Sequence, residues 1–118
     1  MLSIKSVLVP FRMSLSAKKP ISLRTEITNE SEDPKKVSVK LLVSRELSVE
    51  RTGIANIFEK RIGVIEPGQT KLLYLDIFPK AQTSIRDYPG RLVIFEHYDD
   101  FDFVDKEYKK EFRIIVQQ

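Results

Sequence analysis

The sequence predicts an all-β protein, an antiparallel sandwich of seven to eight short strands. Three observations lead there. Apolar residues recur at every second position in several separate stretches, the spacing that gathers them on one face of a pleated strand. Clusters of turn-forming residues separate those stretches at intervals of roughly ten residues. No stretch shows the three-and-four spacing of an amphipathic helix.

The first fifteen residues alternate weakly, with Ile4 and Leu8, then Phe11, Met13 and Leu15 spaced by two. Pro10 divides them. Proline lacks the N–H a ladder needs, so the segment reads as an edge strand that breaks and switches sheets at Pro10. Ala17-Lys-Lys-Pro20 then turns the chain into its clearest pair of strands, Ile21 to Ser44. There Ile21, Leu23 and Ile27, then Val37, Val39, Leu41 and Val43, take one face, while Ser22, Arg24, Glu26, Ser38 and Lys40 take the other. Between them, Asn29 to Pro34 holds no apolar residue and is rich in turn formers. Two one-sided strands cannot bury their own face, so a second sheet must lie across from them.

The pattern lapses over residues 45–57, where Leu47, Val49 and Ile54 keep neither period; a loop, a short irregular edge strand and one turn of helix after Ser48 all fit. Phe58, Lys60, Ile62 and Val64 resume the alternation and lead to the Pro67-Gly68 turn. Thr70 to Phe78 follows as a strand, with Leu73, Leu75 and Ile77 on one face and Leu72, Tyr74, Asp76 and Phe78 on the other. After a polar connection, Tyr88-Pro89-Gly90 reads as a turn into Arg91–His97, a run apolar on both faces, as suits a central strand. His97 to Glu107 reads as a hairpin loop, and Tyr108, Phe112, Ile114 and Val116 alternate as the last strand. A small barrel of the oligonucleotide- or oligosaccharide-binding type and an arrestin-like half are the alternatives to the sandwich.

At 118 residues the chain is read as one domain, 1–118, and its 42% hydrophobic and 31% charged content is that of a folded globular protein. No apolar run is long enough to cross a bilayer, and the first ten residues are too short in apolar content for a secretory leader. A complete chain is therefore expected in the cytoplasm, and an excised module outside the cell. With 0 cysteines, disulfides and thiolate metal sites are excluded. The net charge of +3 is unevenly placed: residues 1–61 hold 12 Lys/Arg against 7 Asp/Glu, and residues 62–118 hold 8 against 10. Heavy use of Lys, Arg and Glu without Cys is compatible with a thermophilic source.

The succession ITNESEDPKKVSVKLLVS, IGVIEPGQTKLLYLDIFP and YPGRLVIF resembles the adhesion-type immunoglobulin-like modules known as CARDB domains. The resemblance spans about residues 20–97 and rests on turn chemistry: Thr28 and Asn29, Pro67 and Gly68, Tyr88 and Gly90 stand where that pattern places them. It implies an immunoglobulin-like sandwich acting as a binding or assembly module. Glu30 and Ser31 stand where such modules usually have Gly, and the 45–57 insertion is longer and more charged than theirs.

Four constellations carry chemistry. Asp99, Asp100, Asp102 and Asp105 fall within seven residues and offer hard oxygen ligands to a cation such as Ca²⁺, without the glycine and terminal glutamate of the helix-loop-helix calcium motif. His97, Tyr98, Phe101 and Phe103 make the same hairpin aromatic, as recognition loops often are. His97 is the 1 histidine, and without a convincing Ser or Cys partner it builds no nucleophilic triad. Lys18-Lys19, Lys35-Lys36 and Lys109-Lys110 need not converge, and Glu32, Asp33, Glu107 and Glu111 interrupt the neighbourhoods of the last two, so a continuous nucleic-acid stripe is not expected. Leu72, Tyr74 and Phe78, and Leu42 with Ile115 and either Val93 or Phe95 on the other sheet, would face outward, and an exposed apolar patch marks a partner surface.

The expected role is thus non-enzymatic and without a cofactor: an interaction or assembly module that binds a protein partner or a second copy of itself through an outer sheet face. The alternative is a module that binds a cation or carbohydrate through the hairpin 97–105.

Overall fold

A computed structural model describes residues 1–118 as nine strands and no helix. In chain order they are β1 (Leu2–Val9), β2 (Arg12–Ser14), β3 (Ile21–Asn29), β4 (Lys35–Val43), β5 (Leu47–Ser48), β6 (Ile57–Ile65), β7 (Thr70–Pro79), β8 (Asp87–His97) and β9 (Val104–Gln117). They form two sheets, a four-stranded one in the order β1-β3-β7-β5 and a five-stranded one in the order β2-β9-β8-β4-β6. Every pairing is antiparallel except the short parallel one between β2 and β9. Nine strands exceed the seven or eight expected. Pro10, after a cis peptide bond, divides the first segment into β1 in one sheet and β2 in the other. The 45–57 stretch adds β5, two residues long, and no turn of helix.

The alternation expected of β3 and β4 holds along both. Ile21, Leu23, Ile27, Val37, Val39, Leu41 and Val43 are buried, and they join Leu75 and Ile77 of β7, Leu92 and Ile94 of β8 and Ile114 and Val116 of β9 in one cluster of 18 buried residues between the sheets. Burying a side chain of that size stabilises the fold by about 1.5–3 kcal/mol each. Leu73 is only half-buried and Leu72 is exposed. The N-terminal half of β7 therefore runs toward the rim of the sandwich, away from its centre.

Two local features depart from simple alternation. In β6 the strict period puts Val64 inside, yet Val64 is exposed and Ile65 is fully buried. The register slips between β4 and β6: Val37 pairs with Gly63 and Ser38 with Arg61, so Ile62 is an extra residue and every later side chain changes face. Gly63 has φ of 100°, which glycine adopts without the Cβ penalty.

In β8, Tyr88-Pro89-Gly90 is not a turn. These residues lie inside the strand, paired with Ile114, Arg113 and Phe112 of β9. β4 stops opposite Gly90, so Pro89 meets no strand on that side that would need its N–H. Gly90 is opposite Phe112, whose ring lies where a Cβ on Gly90 would stand. Tyr88 is buried and its hydroxyl accepts from the Ser84 amide at 3.0 Å.

Candidate functional site

The hairpin tip between β8 and β9 does not project into solvent as a whole. Tyr98 and Phe103 are exposed, and their segment is closed by the Tyr98 N–H donating to the Phe103 carbonyl. Phe101 folds back onto the outer face of the five-stranded sheet. There its ring meets His97 edge-on, with centroids 5.0 Å apart. The Arg61 guanidinium lies 4.8 Å and the Lys36 ammonium 5.4 Å from the Phe101 centroid, both within cation–π range. Lys36 also donates to the Asp99 carbonyl at 2.7 Å, fastening the tip to β4.

Beneath Phe101 is a pocket of about 430 Å³ whose walls include Ser38, Lys40, Glu59, Arg61, Phe95 and His97. Register explains the gathering. Ser38 of β4 stands opposite Arg61 of β6 and Phe95 of β8, and Lys36 stands opposite His97, so all project from the same face. Lys40 is 3.5 Å from Glu59, whereas neither Arg61 nor Lys36 has a carboxylate partner.

His97 does have a serine. Ser38 Oγ is 2.6 Å from His97 Nε2, a contact across 59 residues of sequence that sequence spacing alone conceals. The pair lacks the rest of a hydrolytic site. His97 Nδ1 is shut from solvent with no partner, so no carboxylate orients the ring. Ser38 lies in mid-strand between β6 and β8, where backbone N–H groups are committed to ladders and do not converge on an oxyanion.

Asp99, Asp100 and Asp102 sit on the tip and Asp105 on β9. Asp100 Oδ1 accepts the Asp102 N–H at 2.9 Å, and no three metal-ligating side chains of the chain come close enough to hold one ion.

The residues read as partner-binding divide between two opposite faces. Leu72 and Tyr74 are exposed on the outer face of the four-stranded sheet, 44% and 61% accessible, whereas Phe78 is half-buried. Leu42 is half-buried on the five-stranded sheet and shares no surface with them. Val93, expected outside, is buried although it faces outward; the long side chains of Lys40 and Lys109 flank it in register. Next to Tyr74 and Leu72 on the outer face, Arg24 and Glu26 of β3 form an ion pair at 3.6 Å, which splits these two from Val7 and Val9 of β1.

The distinctive feature of β7 is its edge. On one side β7 pairs with β3 from Thr70 to Ile77; on the other only Phe78 and Pro79 are paired, with β5. No strand pairs with β7 along Thr70–Ile77 on that side. Alongside it, a groove of about 320 Å³ opens between the two sheets, lined by Leu41, Val49, Phe58, Tyr74, Leu75 and Phe78 together with the charged Glu50, Arg51 and Asp76.

Two buried polar groups hold the frame of these sites. Glu96 on the inner face of β8 is 1% exposed; it meets Lys35 Nζ at 3.1 Å and accepts the Tyr108 hydroxyl at 2.9 Å. Burial, the largest single influence, pushes Glu96 up. The hydrogen bonds from Lys35 and Tyr108 and the charges of Lys35 and Lys106 together carry it below the ordinary carboxylate value. Lys35 is raised, first by its hydrogen bond to Glu96. Tyr108 is raised, first by burial. Asn29, fully buried at the end of β3, ties the turn that follows it to the Pro67-Gly68 turn.

No family model and no curated protein matches the chain. Among solved structures it is similar to a FixG-related protein from Vibrio parahaemolyticus, with TM-score 0.62 and 11% identity, over 100% of this chain and 96% of that one. It is also similar to the alkylpurine DNA glycosylase AlkC of Pseudomonas fluorescens, solved on DNA containing an abasic site analogue, with TM-score 0.54 and 14% identity. There it covers 99% of this chain but 30% of that one. At such identities the likeness is one of fold.

Proposed function

We propose that the chain is a non-enzymatic interaction module whose partner supplies an extended strand to the free edge of β7. One observation carries the reading: along Thr70–Ile77 the backbone of β7 has no paired strand on one side, next to a groove whose walls are mostly apolar. A row of unpaired N–H and C=O groups recognises another extended backbone, and the side chains of an added strand alternate between two faces. The inward set would enter the groove toward Leu41, Phe58 and Leu75. The outward set would lie beside Leu72 and Tyr74. The occupant that fits is an extended segment of a partner protein with apolar residues at alternate positions.

The same proposal takes the sandwich as immunoglobulin-like. In support, β1, β3, β7 and β5 share one sheet and β4, β8 and β9 adjoin in the other, as strands A, B, E, D and C, F, G do in that fold. It also keeps the CARDB-like reading of the turns, which implies the same kind of role.

Selection of displayed nine-residue peptides on the wild-type protein, with counter-selection on a Leu72→Lys/Tyr74→Lys double variant, tests it. The expected consensus has apolar residues at every second position, and bound peptide slows amide exchange in Thr70–Ile77. Peptides that bind without altering exchange in β7 would overturn the edge as the site.

A further inference from the structure

The pocket under Phe101 lies in the other sheet from the β7 edge, and it has a chemistry of its own. Its floor is polar and fixed, made by the 2.6 Å contact between Ser38 and His97. On the face that carries Ser38, its walls hold Lys40 and Arg61 against the single acid Glu59, which already faces Lys40, whereas Lys60 stands opposite Val39 on the inner face. Lys36 adds a further cation at the Phe101 ring. The aspartates of the tip are not among the lining residues. Phe95, Phe101 and Val104 supply apolar surface. Arg61 is the key group. Its guanidinium is placed 4.8 Å from the Phe101 centroid, and no carboxylate in the chain occupies its donors. A guanidinium fork held in place beside a hydroxyl suits a tetrahedral oxyanion, and the two flanking ammonium groups of Lys36 and Lys40 suit a dianion over a singly charged acid.

We propose that this pocket binds a small phosphate monoester. The phosphate is held by Arg61 with Lys36, Lys40 and Ser38, and the organic body lies against Phe95 and Val104 beneath Phe101. The volume of about 430 Å³ falls in the range of small-molecule sites and admits a body of one ring. Phe101 acts as the roof, and its position depends on Arg61 and Lys36 as much as on His97.

The experiment is titration of the full chain with phenyl phosphate, inorganic phosphate and benzyl alcohol, followed by amide chemical shifts and calorimetry. Phenyl phosphate is expected to bind saturably, tighter than either fragment, with shifts centred on Ser38, Arg61 and His97. Arg61→Gln, an exposed position that leaves the core untouched, should weaken it about 10-fold or more, the loss of one charge-assisted hydrogen bond. Phe101→Ala should weaken phenyl phosphate more than inorganic phosphate. Equal affinity for phenyl and inorganic phosphate would overturn the proposal in favour of an adventitious ion only. So would shifts elsewhere on the surface, or affinity unchanged in Arg61→Gln.

Discussion

The side-chain amide of Asn29 donates to the carbonyl of Ile65 at 2.8 Å, joining two turns 36 residues apart. It also donates to the Asp33 carbonyl, and its Oδ1 accepts from the Ser31 amide and hydroxyl. Its main chain closes the circle, donating to Gln69 and accepting from Gly68. One buried side chain thus satisfies backbone groups of both turns, which fixes where β4 and β7 begin.

Asn29→Ala should accordingly be among the most damaging polar substitutions. It leaves the Ile65 carbonyl and the Ser31 amide without the Asn29 partner, while the Asp33 carbonyl keeps the Ser31 hydroxyl, and each buried unpaired group costs about 1–3 kcal/mol. Water reaches part of the gap, so the expected loss is about 3 kcal/mol, a fall in Tm of roughly 10 °C. Ser31→Ala removes only the hydroxyl and should cost about 1 kcal/mol. Urea unfolding of the two variants checks the ranking; equal losses would show that Asn29 is not the hub.

Gly90 and Phe112 make a second testable pair. A Cβ at Gly90 meets three atoms of the Phe112 ring, one of them at 3.0 Å and the others closer, so Gly90→Ala should cost about 2 kcal/mol by overpacking. Phe112→Leu in the same chain opens the space and should restore more than half of that loss. Additive effects in the double variant would mean the ring does not rest on the glycine.

The Lys35–Glu96–Tyr108 cluster predicts how stability varies with pH. Glu96 is lowered in the folded state, so its contribution is present above the unfolded value of about 4.3 and is lost as pH falls through the folded value. Lys35 and Tyr108 are raised, so their contributions are full below about 10 and are lost as pH rises through their folded values. Denaturant midpoints should therefore hold between those limits and drop on both sides. Glu96→Gln should cost about 2 kcal/mol near neutral pH, by loss of hydrogen bonds to a charged group, and flatten the acid limb. An acid limb as steep in Glu96→Gln as in wild type would place its origin elsewhere.

The sequence displays the inner faces of β3, β4 and β9 because each can be read from spacing within one strand, whereas β8 is apolar on both faces. It also marks Pro10, where the chain changes sheets, since a missing N–H is a local fact. Cross-strand register is not local, and the candidate sites depend on it. Ser38 and His97 meet only because β4 pairs with β8, and Arg61 joins them only because β6 pairs with the other side of β4 in the register that sets it opposite Ser38. Without the bulge at Ile62, Val64 would be inside and Ile65 outside, as strict alternation expects. Tyr88-Pro89-Gly90 has turn composition yet lies in a strand, because β4 ends there and Phe112 covers the glycine. The burial of Glu96 depends on Lys35 and Tyr108 reaching it from two other strands, which spacing within β8 does not display.

The edge of β7 gives the last prediction. In an antiparallel pair, bonded and non-bonded residue pairs alternate along the strand, so β3 engages about half of the β7 amides between Thr70 and Ile77. The remaining amides point to the vacant side. In β4, flanked by β6 and β8, both sets are engaged. Amide hydrogen exchange at low protein concentration should therefore show slow amides throughout the middle of β4. In β7, slow and fast amides should alternate, the fast ones exchanging without any opening of the fold. Raising the protein concentration leaves that alternation intact if the edge serves a partner strand, because Arg24 and Glu26 beside Tyr74 and Leu72 leave little apolar area for two copies to join. Uniform protection along β7 that strengthens with concentration would mean that a second copy of the chain already covers the edge.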